Sequence, residues 1–151
     1  MAKVDWKRIL CPIDFSDASR AALETAAELA KQHQGKLTLL HAYPVPGYTF
    51  PDGSFVASSK MLEELAEAAR IHLEEWKGIA TSLGLSDVQA VTAVGEPAAE
   101  ILTYAGEQGV DLLVVGTHGR TGLTHARMGS VAERVVRKAP CPVLTVRPPK
   151  A

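Results

Sequence analysis

The most apolar stretch of the chain, Val110-Asp111-Leu112-Leu113-Val114-Val115, runs straight into Gly116-Thr117-His118-Gly119-Arg120. A short aliphatic run without polar alternation reads as a strand buried on both faces, the situation of a parallel sheet. A strand that ends on glycine, with a second glycine three residues on, leaves backbone N–H groups uncovered by side chains and open to close approach by an anion. Gly129-Ser130 then stands directly before Val131-Ala132-Glu133-Arg134-Val135-Val136, whose apolar residues recur at helical spacing. The pair therefore occupies a helix N-terminus, where unsatisfied N–H groups and the helix dipole favour anions. Ser130 and Glu133 also form a Ser-x-x-Glu capping box, which by itself accounts for a serine at that position. The segment is a candidate phosphate cradle of a particular kind. It is not a Walker loop, because Gly35-Lys36 lacks both the earlier glycine and the following Ser or Thr, and Gly116-x-x-Gly119-x-x-Gly122 is not the dinucleotide Gly-x-Gly-x-x-Gly.

With 151 residues the chain suits one domain spanning 1–151, large enough to bury roughly 70% of the surface its unfolded form exposes. The formal net charge of −1 gives no global field towards nucleic acid or an anionic membrane, so an anion site has to be local. Cys11 and Cys141, the two cysteines, have no metal or redox spacing and read as reduced thiols of a cytoplasmic protein. Met1 to Trp6 lacks the apolar core of a signal peptide, and no apolar run approaches the roughly 18 residues of a membrane span.

In chain order, Arg8 to Ile13 reads as a buried first strand, and Asp14-Phe15-Ser16-Asp17 feeds a helix capped by Ser16. From Ala18 to Gln34, Ala18, Ala21, Ala22, Thr25, Ala26 and Leu29 keep to one face, and Gly35 is read as the stop. Leu37 to Ala42 is the second strand. Tyr43 to Ser59, with Pro44, Pro46, Gly47, Pro51 and Gly53, reads as a long loop. Lys60 to Leu83 carries a sustained apolar stripe that includes Met61 and Trp76, both read as core, and Gly84 ends it. Val88 to Val94 is the third strand; Pro97 opens a short helix in which Ala98, Ile101, Leu102 and Ala105 share a face. The buried fourth strand, a helix over Ser130 to Lys138 and a fifth strand, Val143 to Val146, complete the chain.

Strands alternating with helices in this way favour a doubly wound, open parallel five-stranded α/β sheet, Rossmann-like, with helices on both faces. The spacing of Gly116, Gly119 and Gly129-Ser130, together with Pro12-Ile13-Asp14-Phe15-Ser16 at the start and Ala139-Pro140-Cys141-Pro142-Val143 to Val146 at the end, closely resembles the ATP-binding branch of the universal stress protein family. That resemblance implies the strand order 3-2-1-4-5, which would bring Asp14 and Gly116 to the ends of adjacent strands facing one crevice.

The resemblance also implies roles. Pro12, Ile13 and Asp14 would line the adenine and ribose side, with Ala42 a small apolar wall. Gly116, Gly119 and Arg120 would hold ribose and phosphates, and Gly129, Ser130 and Val131 would donate bonds to the phosphate chain of ATP carried with Mg²⁺. Arg120 suits a charge-assisted bond. Taken alone, Asp14 is at least as well read as a cap of the first helix as a ribose or Mg²⁺ contact, and Arg134, Arg137 and Lys138 as compensating a helix dipole. His118 and His125 flank the cradle but lack the partners of a metal site. Three functions follow: an ATP-binding module acting in stress response by changing conformation or partners, a slow ATP hydrolase or phosphoryl or adenylyl transferase, and a nucleotide-free dimeric stress protein. No general base or transition-state lysine accompanies the cradle, which favours binding over catalysis. Val143 to Val146 would lie at a sheet edge, and the resemblance implies that it pairs antiparallel with a second copy in a homodimer.

Overall fold

The computed structural model describes residues 3–44, 48–49, 51–52, 55–56, 58–118 and 128–149. Their elements are β1 (Arg8–Pro12), α1 (Asp17–His33), β2 (Lys36–Tyr43), β3 (Tyr48–Thr49), β4 (Phe55–Val56), α2 (Ser59–Ser82), β5 (Val88–Val94), α3 (Pro97–Glu107), β6 (Leu112–Gly116), α4 (Ser130–Lys138) and β7 (Val143–Val146). Five of the strands form one parallel sheet in the order β5-β2-β1-β6-β7, which counts as 3-2-1-4-5 among those five. The segment read as a plain loop contains the short antiparallel pair β3 and β4, with Tyr48 opposite Val56 and Thr49 opposite Phe55.

The apolar runs are continuous because the sheet is covered on both sides. Successive side chains of a strand face opposite ways. Ile9 and Cys11 of β1, Leu37 and Leu39 of β2, and Leu112 and Val114 of β6 all join the core beneath α1 and α2. Leu10, Leu40, Leu113 and Val115 join the core beneath α3 and α4. Each fully buried leucine or isoleucine contributes about 1.5–3 kcal/mol from its removal from water. Asp111 lies just before β6 rather than in it. Its carboxylate accepts the Lys7 and Arg8 N–H groups at 3.0 and 2.8 Å, and its own N–H donates to the Arg8 carbonyl at 2.8 Å, so it fastens the start of β1 to the start of β6.

The alanines of α1 let it lie close on the sheet: Ala22, Ala26 and Ala30 are fully buried. Its stop differs from the sequence reading. Gln34, not Gly35, takes the left-handed conformation, at φ 53° and ψ 42°. Gly35 is needed for another reason, since a Cβ there would lie 2.6 Å from the Trp6 carbonyl oxygen.

Helix α2 departs further. Leu73 and Ala80 are buried and Trp76 and Ile79 pack against the core, but Met61 and Leu62 are 40% and 39% exposed, so Met61 is not a core residue. With 24 residues the helix is about 36 Å long, whereas the seven residues of β5 span about 23 Å. The stripe outruns the sheet it covers.

Two glycines separate helix propensity from close packing. Gly78, inside α2, has nothing within 4 Å of a built Cβ, whereas a Cβ on Gly116 would lie 2.7 Å from the Ala18 carbonyl carbon. Gly78→Ala is expected to raise stability by about 0.5–1 kcal/mol, and Gly116→Ala to lower it by about 1–3 kcal/mol through overpacking. Urea unfolding of the two variants checks both signs.

Candidate functional site

Strands β1 and β6 are neighbours, but the chain leaving β1 forms α1 on one face, whereas α4, the next described element after β6, packs on the other. The carboxyl ends of two such strands cannot both be covered by their own helices, so a crevice opens at this switch point. It holds a cavity of about 280 Å³.

Pro12, Ile13 and Asp14 form its β1 side, and Ala42 stands at the end of β2. Gly116 forms the β6 side, and Gly129, Ser130 and Val131 bring the start of α4 to the same space. These eight residues expected at the site therefore line one cavity; Gly119 and Arg120 lie outside the described residues, as does His125. The sequence reading did not include Leu40 and Val115, which form an apolar floor, nor Pro97 and Ile101, which bring α3 to the wall. Nothing in a linear motif marks residues supplied by a different crossover helix. Ile101 was legible only as a member of the core face of α3.

The turn after β1 is tightly held. Asp14 Oδ1 accepts the Ser16 N–H at 3.0 Å and the Ser16 hydroxyl, and Ser16 Oγ in turn accepts the Ser19 N–H at 3.2 Å, capping α1. Both bonds go to one oxygen, so Asp14 Oδ2 carries no bond among the described residues. Phe15 sits at φ 65°, a conformation unfavourable for a bulky residue. Its ring stacks on His72 with centroids 3.7 Å apart and meets Trp76 edge-on at 5.3 Å, which anchors the turn to α2. Asp14 thus braces the turn, and Ser16 is the cap.

Helix α4 begins differently. Its N-cap is Gly129, with φ −62° and ψ 156°, which has no side chain to offer; the Glu133 N–H makes the first helical bond, to the Gly129 carbonyl at 2.9 Å. The expected capping box does not form. Ser130 is one residue too far along to be the cap, and the Glu133 carboxylate pairs with Arg137. The N–H groups of Ser130, Val131 and Ala132 have no acceptor among the described residues.

The other three helices are capped by side chains: Ser16 in α1, Ser58 in α2 through the Met61 N–H at 3.1 Å, and Glu96 in α3 through the Ala98 and Ala99 N–H groups at 3.1 and 2.8 Å. The Ala99 N–H is the main reason the Glu96 carboxyl titrates below its usual range; burial opposes it, and the Ala98 N–H and Arg134 lower it further. Arg134 is itself paired with Glu96 at 2.8 Å.

Behind the cavity, Thr117 ties three elements together. Its N–H donates to the Val146 carbonyl at 2.9 Å, and its carbonyl accepts the Gly129 N–H at 2.6 Å. Its buried hydroxyl lies 2.8 Å from His118 Nδ1. His118 Nε2 is buried with no partner among the described residues. An orphaned buried polar atom costs about 1–3 kcal/mol. The free thiols stand aside from this arrangement: burial, helped by Asp14, pushes the Cys11 thiol far up, and partial burial with Asp111 nearby raises that of Cys141.

The two serines should respond differently to truncation. Ser16→Ala removes a cap and is expected to cost about 1 kcal/mol. Ser130→Ala removes no bond made among the described residues and should stay within about 0.5 kcal/mol of the parent. Thermal melts read at equal protein concentration distinguish them; equal losses would mean that Ser130 does cap α4.

Comparison with known proteins agrees with this geometry. The model of the universal stress protein family matches residues 5–147. A universal stress protein of Methanocaldococcus jannaschii is 37% identical, over 96% of this chain and 84% of that protein. Among solved structures, the universal stress protein UspA of Lactobacillus plantarum superposes with a TM-score of 0.81 at 28% identity, covering 96% of this chain and all of that one (100%). A universal stress protein solved in complex with cAMP gives a TM-score of 0.75 at 26% identity, covering 95% of this chain and 99% of that one. With a family match over nearly its whole length, a relative above 30% identity and the same sheet order, the chain belongs to the universal stress protein family.

Proposed function

We propose that this chain is an ATP-binding module of the stress response, whose nucleotide occupies the cavity between β1 and β6 and regulates conformation or partners. The observation that carries the reading is the start of α4: three N–H groups without acceptors among the described residues stand at a cavity whose floor is apolar. A helix N-terminus of this kind suits phosphate, and an apolar floor suits a purine ring. The cAMP complex of a similar universal stress protein supports the adenine-nucleotide class.

In this reading Pro12, Ile13 and Ala42 flank the base, and Asp14 accepts from the ribose through its remaining oxygen. Gly129, Ser130 and Val131 hold the phosphates, beside Gly116. Gly119 and Arg120 are assigned to ribose and phosphate by family likeness alone. Mg²⁺ bound with ATP would neutralise phosphate oxygens, with Asp14 the carboxylate at the cavity able to join its coordination. The residues at the phosphate end bind and orient, which is why we read the module as regulatory rather than catalytic. No helix among the described residues is long and apolar enough to cross a membrane, and two unpaired cysteines suit a reducing cytoplasm.

Ser130→Pro isolates the phosphate donors. Proline is tolerated at the first helical position, and Gly129 already has the extended backbone required before it. The variant loses one N–H and one hydroxyl, and is expected to bind MgATP at least about tenfold more weakly in calorimetric titration, with its melting temperature preserved. Failure of the parent protein to bind any adenine nucleotide would reject the proposal.

We further assign a homodimer to the free edge of β7, which pairs only with β6 among the described residues. Leu144 on that edge is 38% exposed and Val136 of α4 is 45% exposed. An open apolar strand edge invites pairing with a second chain. Leu144→Lys should elute as a monomer in size exclusion with light scattering where the parent elutes as a dimer; a variant that remains dimeric would move the interface elsewhere.

A further inference from the structure

We propose that His118 reads the phosphate of the bound nucleotide through an Nε2–H whose tautomer is set by Thr117. The inference rests on the adenine-nucleotide reading of the cavity, and it assigns a ligand contact to a side chain at an unspecified position of the glycine motif. Three observations carry it. His118 lines the cavity, next to the residues that bring α4 to it. Its Nδ1 lies 2.8 Å from the Thr117 hydroxyl. Its Nε2 is the buried side-chain polar atom left without a partner among the described residues.

The chemistry of the pair fixes where the proton sits. The Thr117 hydroxyl is buried, and its one hydrogen bond among the described residues is to His118. Its hydrogen is therefore satisfied only if it points at Nδ1, which makes Nδ1 an acceptor and places the ring hydrogen of a neutral imidazole on Nε2. The imidazolium form also carries a hydrogen on Nε2. The remaining tautomer, with hydrogen on Nδ1 alone, would strand the threonine hydrogen in a buried site. Nε2 is thus a donor, and what it lacks is an acceptor.

Its position suggests which acceptor. The peptides on both sides of Thr117 are held, one by the Val146 carbonyl and the other by the Gly129 N–H, so the ring is carried on a braced segment beside the start of α4. The His118 carbonyl lies 3.5 Å from Ser16 Oγ, which places the residue between the β1 turn and the α4 terminus. The same end of the cavity presents the N–H groups of Ser130, Val131 and Ala132, which have no acceptor among the described residues. A group rich in acceptors and surrounded by donors is a phosphate, and neither the base nor the ribose fits that description. Thr117 acts as a positioning residue, through the imidazole.

The test compares ligands that differ only in phosphate. Calorimetric titrations with MgATP, AMP and adenosine are run on the parent, on His118→Phe, which keeps a ring and loses both nitrogens, and on His118→Gln, which returns an N–H donor at similar reach. His118→Phe is expected to weaken MgATP and AMP at least tenfold and adenosine less than twofold, with His118→Gln recovering most of the loss. Unchanged AMP binding in His118→Phe, or equal losses for AMP and adenosine, overturns the assignment while leaving the nucleotide site standing. A parent that binds neither AMP nor MgATP removes both. Should His118→Phe fail to fold, long-range ¹H–¹⁵N spectra of the parent labelled at histidine decide the matter. The free protein should show His118 with hydrogen on Nε2, and that resonance should move with AMP and not with adenosine. An Nδ1–H tautomer, or no movement with AMP, overturns the proposal.

Discussion

The structure depends on a steric constraint at one point: α1 can lie against the end of β6 only because residue 116 has no side chain. A Cβ there would meet the backbone of Ala18 at 2.7 Å. Helix α1 is thereby drawn over the β1 and β6 strands on the face of Ile9, Cys11, Leu112 and Val114, while α3 and α4 cover the opposite face. Strand ends whose crossovers diverge leave a crevice, and the width of that crevice is set by how closely the helices approach. The glycine that the sequence offers as a phosphate contact is thus first a packing residue. Besides lining the cavity on its β6 side, it sets how closely α1 approaches that wall.

The same comparison explains what could be read in advance. Continuous aliphatic runs such as Leu112 to Val115 identify buried parallel strands, and the alanine face of α1 identifies a helix held close to a sheet, because both patterns are direct consequences of two-sided burial. The sheet order itself came from family resemblance rather than from any local pattern. Periodicity failed where length mattered. Met61 and Leu62 continue the stripe that buries Leu73 and Ala80, but a helix of 24 residues passes the end of its sheet, and no pattern within the helix records where the sheet stops.

Capping was legible where the cap is a side chain in its expected register, as at Ser16, and misleading where the register is set from outside. Ser130-x-x-Glu133 is a good capping box as a string. In the folded chain the Gly129 N–H is bound to the Thr117 carbonyl, which brings the backbone to the helix one residue earlier and makes glycine the cap. A distant peptide decides the matter, so the local sequence could not. The consequence is chemical: three N–H groups that a capping box would have helped to satisfy are left facing the cavity.

Thr117 gives this arrangement its rigidity. Through the N–H on one side of its Cα the residue donates to Val146 at the end of the edge strand β7, through the carbonyl on the other side it accepts from Gly129 at the start of α4, and its side chain holds the His118 ring. Hydrogen bonds made by the two peptides that flank one Cα are coupled through that residue's dihedrals. A displacement of α4 that lengthened the bond from Gly129 would have to be absorbed by the Thr117 dihedrals, whose other side is held by the bond to Val146, although the two partners belong to different elements. The sheet edge and the open helix terminus are therefore joined through a single buried residue, whose hydroxyl also leaves the neighbouring neutral imidazole one tautomer in which every hydrogen but that on Nε2 is satisfied.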